Sequence, residues 1–383
     1  MHSTGSGVLL VPYALASGGW LSLVLLLMLS MAATYTSFLI KRCMEVDPSI
    51  KTYANIGEHA FGNMGKIIVS IILYNDLFMV DTGFLILEGD NLHSLFPEVV
   101  IQVCGITIDG KSSFIIIIAL LLLPSVWLDN LSILAYISAG GVLASFLILG
   151  SVFWVGAFDG VGFHPRGSLL NLKGIPTAVS LYMLCYASHP VIPALYTSMK
   201  KKRHFSKVLL LCFLLSTIIY VSMAVLGYLM FGPGVESQVT LNLPRDKLGS
   251  RIAIYTTLIT PLAKYALLLK PVVISTESWF PTHCQKKKQF KIFIRTTLVA
   301  TQVIVALALP FFGHIMSLVG ALFSATASLA IPCLCYLKIS RFNNLRLGII
   351  ERLFICSIVI LSVFIAVFGT YTSLLDILGE IEH

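Results

Sequence analysis

The chain alternates between long apolar runs and short polar interruptions from one end to the other. An α-helix rises about 1.5 Å per residue, so roughly 20 apolar residues are needed to cross ~30 Å of hydrocarbon. Ten runs meet or approach that length: residues 20–40, 67–91, 114–128, 133–157, 175–199, 208–231, 252–275, 292–312, 315–337 and 349–375. A stub at residues 4–15 precedes them and is too short to span alone. The pattern predicts an all-α polytopic membrane protein with eleven segments if the stub is counted.

Composition agrees, since 57% of residues are hydrophobic and 11% charged, with a mean hydropathy of +0.91. Soluble domains carry about 25% charged residues. The net charge of +8 does not point to nucleic acid, because the basic residues sit in short clusters between apolar runs. With a cytosolic N-terminus and one crossing per segment, 18 of the 26 Lys and Arg residues fall in cytosolic loops and six on the far side. The remaining two, Lys264 and Lys270, lie inside a segment. Such an excess of cytosolic cations fixes orientation. The cytosol then faces Lys200–Arg203 and Lys286–Lys288, and the acidic tail "GEIEH" lies opposite.

Smaller features change little. The opening "GVLLVPYALASGG" imitates a signal peptide but lacks a positive leader and is interrupted by Pro12. Five of the eight cysteines (Cys185, Cys212, Cys333, Cys335, Cys356) lie in apolar runs, and Cys104 sits in a long polar loop; no disulfide framework or metal spacing results. The sequon at Asn130 falls in a cytosolic turn, where it would stay unmodified.

One segment is chemically out of place. "YASHPVIPALYTSMKKKRH" (residues 186–204) follows a greasy run with a histidine and two prolines, then closes on four consecutive cations. The stub has a matching feature: Gly7 precedes Pro12 by five positions, as Ser188 precedes Pro193. Paired interruptions in two halves of a membrane chain suggest inverted repeats with a substrate at the breaks. Unwound backbone offers N–H groups to a carboxylate and C=O groups to an ammonium, and an amino acid carries both. The expected substrate-binding positions are Gly5, Ser6, Gly7, Tyr186, Ala187 and Ser188. A plain proline kink is the competing explanation, since membrane helices tolerate proline.

Four stretches, "GSGVLLVPYALASGGW", "FLILEGDNLHSLFP", "YASHPVIPALYTSM" and "ITPLAKYALLLKPV", together resemble the amino acid/auxin permease (AAAP) family, most closely its vacuolar amino acid transporter branch. The resemblance covers nearly the whole chain. It implies the LeuT-type fold of the APC superfamily, a 5+5 inverted repeat plus an eleventh helix. One transporter domain would span residues 1–383, with repeats at about 1–157 and 175–337 and the extra helix at 349–375. It also implies a monomeric, proton-coupled carrier of neutral amino acids in the vacuolar membrane. Relatives of this type have a longer N-terminus and an asparagine where this chain has Met1, so the first helix is expected to be truncated. Amino acid, protons and the lipid bilayer are the partners implied; no cofactor, metal or nucleic acid is.

Ionisable groups at membrane depth are costly and mark function. Asp76 and Asp81 in "YNDLFMVDTG" lie about 140° apart around a helix, so they cannot both face one site. Asp76 is favoured, because the resemblance places a glutamate there in relatives; many of those relatives carry another acid where this chain has Gly83. His189 can transfer protons or cap the break. Lys264, ~20 Å along its helix from Arg251, is too deep to snorkel. In the implied fold it would replace a sodium ion by binding carbonyls around Gly5–Val8, or else bridge helices to Asp76. Asp76, His189 and Lys264 are thus the proton-coupling candidates. A sensor of the same fold without net transport is the alternative, disfavoured by the lack of a long cytosolic extension. No nucleophile–base pair suggests an enzyme.

The charge asymmetry makes a direct prediction. In a cysteine-free background, Lys201→Cys should react with a membrane-impermeant maleimide from the cytosolic side, and Lys247→Cys from the opposite side. Labelling of both from one side would overturn the topology.

Overall fold

A computed structural model describes residues 6–47, 49–99, 101–103, 106–127, 140–164, 167–278, 280–281, 287–343 and 347–382. Among these residues the chain is almost wholly helical. The first half holds α1 (Ser6–Gly18), α2 (Ser22–Val46), α3 (Tyr53–Leu95), α4 (Gly110–Trp127) and α5 (Gly141–Phe158). The second holds α6 (Ile175–Cys185), α7 (Ile192–Ser198), α8 (Phe205–Phe231), α9 (Leu248–Ser278), α10 (Lys288–Ala308), α11 (Phe312–Val319), α12 (Ile331–Phe342) and α13 (Ile349–Glu382). Nine helical stretches among the described residues are long and apolar enough to cross a bilayer, while residues 7–18 and 143–158 form shorter apolar helices. The fold is that of a multi-pass membrane protein. Its outer surface is correspondingly greasy, with Leu143, Phe158, Phe293, Ile304 and Leu353 all exposed.

Several expectations need correcting. Pro12 does not break the first segment, because α1 runs without interruption from Ser6 to Gly18. The ring is accommodated by its neighbour: a Cβ at Gly227 of α8 would lie 2.6 Å from Pro12 Cβ, so only glycine lets the helices close. The polar loop around Cys104 is not featureless. Ile101–Val103 and Ile106–Ile108 pair as an antiparallel hairpin, β1 and β2, with Ile101 opposite Ile108. Their alternation of β-branched and polar residues is a strand signal that apolar length alone hides. Cys104 itself, Asn130, Arg166, residues 282–286, and the first part of the segment expected at 133–157 lie outside the described residues.

Helix ends are set by local chemistry. Thr52 caps α3, its hydroxyl accepting from the Asn55 amide at 3.2 Å, so α3 begins earlier than its apolar run. It then bends at Gly62, whose φ of 68° suits glycine. Hydrogen bonds from Ser112 to Asp109, just before α4, hold that carboxyl below the usual carboxylate range. The stretch Gly320–Ala330, between α11 and α12, is π-helical rather than α-helical. It packs closely on its neighbours: a Cβ at Gly320 would strike the Ser180 carbonyl of α6, and one at Gly369 of α13 would meet Ala321 at 2.7 Å.

The ends of α4, α9 and α10 are tied by one buried pair. Arg295 Nε donates to Glu277 Oε1 at 3.0 Å, and Nη1 donates to the Trp127 carbonyl at 2.9 Å, an orphan acceptor at the end of α4. Both side chains are under one-tenth exposed. Removing one member of such a pair costs about 3–5 kcal/mol, whereas an apolar replacement of both is far cheaper. Arg295→Met should therefore lower the thermal unfolding midpoint in detergent, and Arg295→Met with Glu277→Leu should recover much of the loss. Equal midpoints for wild type and the single variant would contradict this account.

Candidate functional site

The sixth segment does break, and its sequence dictates where. Pro190 and Pro193 cannot donate the bonds that a continuous helix would send to Tyr186 and His189. The chain leaves the helix after Cys185 and re-enters through a single 3₁₀ turn at His189–Val191. Freed carbonyls find other donors. The Tyr220 hydroxyl donates to the Cys185 carbonyl at 3.1 Å, and the Ile192 amide closes on the His189 carbonyl.

Side chains from α2 and α8 hold the break. His189 Nε2 lies 3.0 Å from the Ala33 carbonyl, 2.9 Å from Thr36 Oγ1 and 3.1 Å from Ser37 Oγ. Thr36 and Ser37 already donate to carbonyls of their own helix, so the proton on Nε2 points at α2. These contacts anchor the break to α2, which favours the capping role for His189. The Tyr186 hydroxyl pairs with Thr217 at 3.0 Å, and Thr217 with Ser30 at 2.6 Å. The Tyr186 ring packs edge-on against Tyr220. Beside the break, a cavity of about 430 Å³ is lined by Tyr186, Ser188, Phe213, Ser216 and Tyr220, among mainly apolar neighbours.

Two further elements converge here. The 3₁₀ turn touches α3 and the π-helical residues 326–330. Asp76 of α3 is buried and accepts from Ser324 Oγ in the π-helical stretch at 2.9 Å. Tyr53, near the start of α3, donates to the Ala327 carbonyl. A π-turn widens the helix and frequently occurs at functional sites. The broken segment, the π-helical stretch and Asp76 therefore form one junction.

Other predicted positions are placed as follows. Gly5 and the Ser6 side chain lie outside the described residues. Gly7 packs on Cys185, where a Cβ would lie 3.1 Å from the thiol sulfur, so α1 meets the end of α6 closely here. Lys264 is 5% exposed and its Nζ has no hydrogen-bond partner among the described residues. The bonds expected to Asp76 or to Gly7 and Val8 are not made. Lys264 instead lies against α5, where a Cβ at Gly141 would sit 3.1 Å from Nζ. A side chain at Gly83 would displace the Met316 methyl, which now fills that space.

Polar groups that sequence reasoning passed over lie further along α3. Asp90 pairs with Lys111 at 2.5 Å and accepts from Gln238 at 3.0 Å. Asn91 donates to Gln238 at 2.5 Å and accepts from Thr240 at 2.9 Å. Glu88 is buried with neither oxygen partnered among the described residues, as is Asp81. The "EGDN" within the second quoted stretch was a visible signal, three acid or amide groups inside an apolar run.

Comparison with known proteins is consistent with this picture. The profile of the family described as "Transmembrane amino acid transporter protein" matches residues 2–375. Amino acid transporter AVT1I of Arabidopsis thaliana is 54% identical over 378 residues, covering 99% of this chain and 93% of that protein. Amino acid transporter AVT1J of the same plant is 53% identical, covering 98% and 89%. Amino acid transporter AVT1B is 43% identical, covering 99% of this chain and 69% of its own length. The family is one of transporters, not enzymes. A profile match over nearly the full chain, relatives above 40% identity and the four motifs agree: the chain belongs to the transmembrane amino acid transporter family, the amino acid/auxin permeases, alongside the AVT1 transporters.

Proposed function

We propose that this chain is a proton-coupled carrier of neutral amino acids in the vacuolar membrane, built as a LeuT-type 5+5 inverted repeat with an eleventh helix. The observation that carries the reading is the junction of the Tyr186–Val191 break with Asp76 and the π-helical stretch. A carrier needs backbone polar groups at membrane depth to meet a zwitterion, and a broken helix supplies them. It also needs an ionisable group near the moving parts, and Asp76 accepts from Ser324 in the π-helical stretch. Tyr186 and Ser188 border the cavity at the break, with Gly7 directly across from Cys185. The substrate amino group would meet carbonyls of the break, and its carboxylate the amides near the start of α1.

The reading is tested in proteoliposomes with tritiated alanine, leucine and glutamine under an imposed pH gradient, with and without sodium. Uptake driven by the pH gradient alone is expected. Strict sodium dependence, or binding without any uptake, would overturn it, and the second result would make the chain a sensor.

Two substitutions sharpen the test. Asp76→Asn should reduce gradient-driven uptake by at least about tenfold, the lower range for loss of a proton-transferring group. Gly7→Val should abolish substrate binding in protein that still elutes as a single species, because the side chain would wedge α1 away from Cys185. Wild-type binding by a folded Gly7→Val protein would remove the substrate from this segment.

A further inference from the structure

Four acids of α3 lie at membrane depth, and they divide cleanly. Asp76 has Ser324, and Asp90 has Lys111 and Gln238. Asp81 and Glu88 have nothing: all four of their carboxyl oxygens are buried without a hydrogen-bond partner among the described residues. Neither side chain is more than 1% exposed. Asp76 and Asp90 each keep at least one donor to offset their charge. A carboxylate stripped of donors costs several kcal/mol as an anion in hydrocarbon and is poised to exchange a proton instead.

The spacing places both groups on one face. Seven residues are nearly two full turns, so Asp81 and Glu88 point within about 20° of each other and lie ~10 Å apart along the axis. That face meets α9, which packs on α3. The register is set by Asp81, which lies within electrostatic reach of Tyr265. As the third and eighth crossings, the two helices run in opposite senses, so two turns up α3 from Asp81 correspond to two turns back along α9 from Tyr265. Thr257 is at that level, and Ser250 lies two turns further on.

The second stripe is equally unusual. Ser250, Thr257 and Lys264 recur every seven residues on α9, all are buried, and the polar atom of each lacks a partner among the described residues. Two helices thus contribute matched rows of unpaired polar groups, Asp81 level with Lys264 and Glu88 level with Thr257. The titratable groups nearest Asp81 along the packed helices are Lys264 and Tyr265, with Gln302 of α10 accepting from Tyr265. Those nearest Glu88 are Asp90, His93 and Lys111, on the way to the Asn91–Gln238–Thr240 network.

We propose that Glu88 and Asp81 carry the coupled proton through this seam between α3 and α9. This deepens the proton-coupled reading above and rests on it. Glu88 takes the proton at the Asn91 end. Its carboxyl O–H then breaks, the electron pair stays on Glu88, and the proton passes through water admitted to the seam to a carboxylate oxygen of Asp81. Thr257 lends its hydroxyl to that water file, and Tyr265, held by Gln302, lines its Asp81 end. Asp76 and the junction at the break respond to substrate, while the seam supplies the ion.

The test separates coupling from carrying. Glu88→Gln, Asp81→Asn and Glu88→Asp proteins are reconstituted with tritiated alanine, leucine and glutamine. Two quantities are read: accumulation driven by a pH gradient, and exchange of labelled for unlabelled amino acid at equal pH on both sides. Glu88→Gln and Asp81→Asn should lose gradient-driven accumulation by at least about tenfold. Both should keep exchange within about twofold of wild type, since exchange moves substrate without net proton transfer. Glu88→Asp should restore accumulation. Gradient-driven accumulation that survives in both neutral variants would overturn the seam while leaving the proton-coupled reading intact. Loss of exchange together with accumulation would also overturn it, by giving these acids a structural role. A wild-type protein that never responds to the gradient would overturn the parent reading itself.

Discussion

Inside hydrocarbon, a backbone N–H or C=O that leaves a helix has no water to turn to, and each orphan costs several kcal/mol. The architecture is organised around the place where the sequence forces such a departure. Pro190 and Pro193 remove two amide donors within four residues, so the sixth segment cannot cross as one helix. The surrounding helices then need polar side chains at depth to receive the loose ends. Tyr220 covers the Cys185 carbonyl, and α2 presents Ala33, Thr36 and Ser37 to His189. These groups would be liabilities on helices packed against an unbroken neighbour. Here they make the break a fixed part of the fold.

The same constraint sorts the remaining polar groups. Where a helix simply ends, its carbonyls are capped in place, as Trp127 is by Arg295. Where α3 approaches the hairpin, Asp90, Asn91, Lys111, Gln238 and Thr240 satisfy one another in a closed network. Between them, Asp81 and Glu88 of α3 and Ser250, Thr257 and Lys264 of α9 are buried without a hydrogen-bond partner among the described residues. A membrane protein that only had to be stable would have no reason to keep them.

The apolar helices were legible in order along the chain because apolar length is a property of each stretch by itself. Bounds were less so: α3 starts at Tyr53 because Thr52 caps it, in a stretch too polar to look membrane-bound. The break at Tyr186 followed from two prolines, yet the same local rule failed at Pro12. There the deciding residue is Gly227, more than two hundred positions away, which no local pattern links to the proline. The family motifs were visible, and Asp76 was singled out, but not its partner: Ser324 reaches it from a π-helical stretch that packs closely on Ser180 and Gly369. Glu88 stood in plain view within a quoted motif. What marks it out is the lack of anything around it, which only the packed structure reveals.

The π-helical stretch from Gly320 to Ala330 has a mechanical consequence. A π-turn holds roughly one residue more than an α-turn, and that surplus can migrate along a helix by exchanging one hydrogen bond at a time. Each step rotates the residues it passes by about 100° and advances them by ~1.5 Å, while both ends of the helix stay where they are. Ser324 lies at the end of the first π-turn. A single step would take its hydroxyl away from Asp76 and present a different residue, with no hinge opening and no helix tilting. Two acid–donor pairings can thus alternate at mid-membrane within a scaffold whose outer contacts, along α13 and α6, need not change at all.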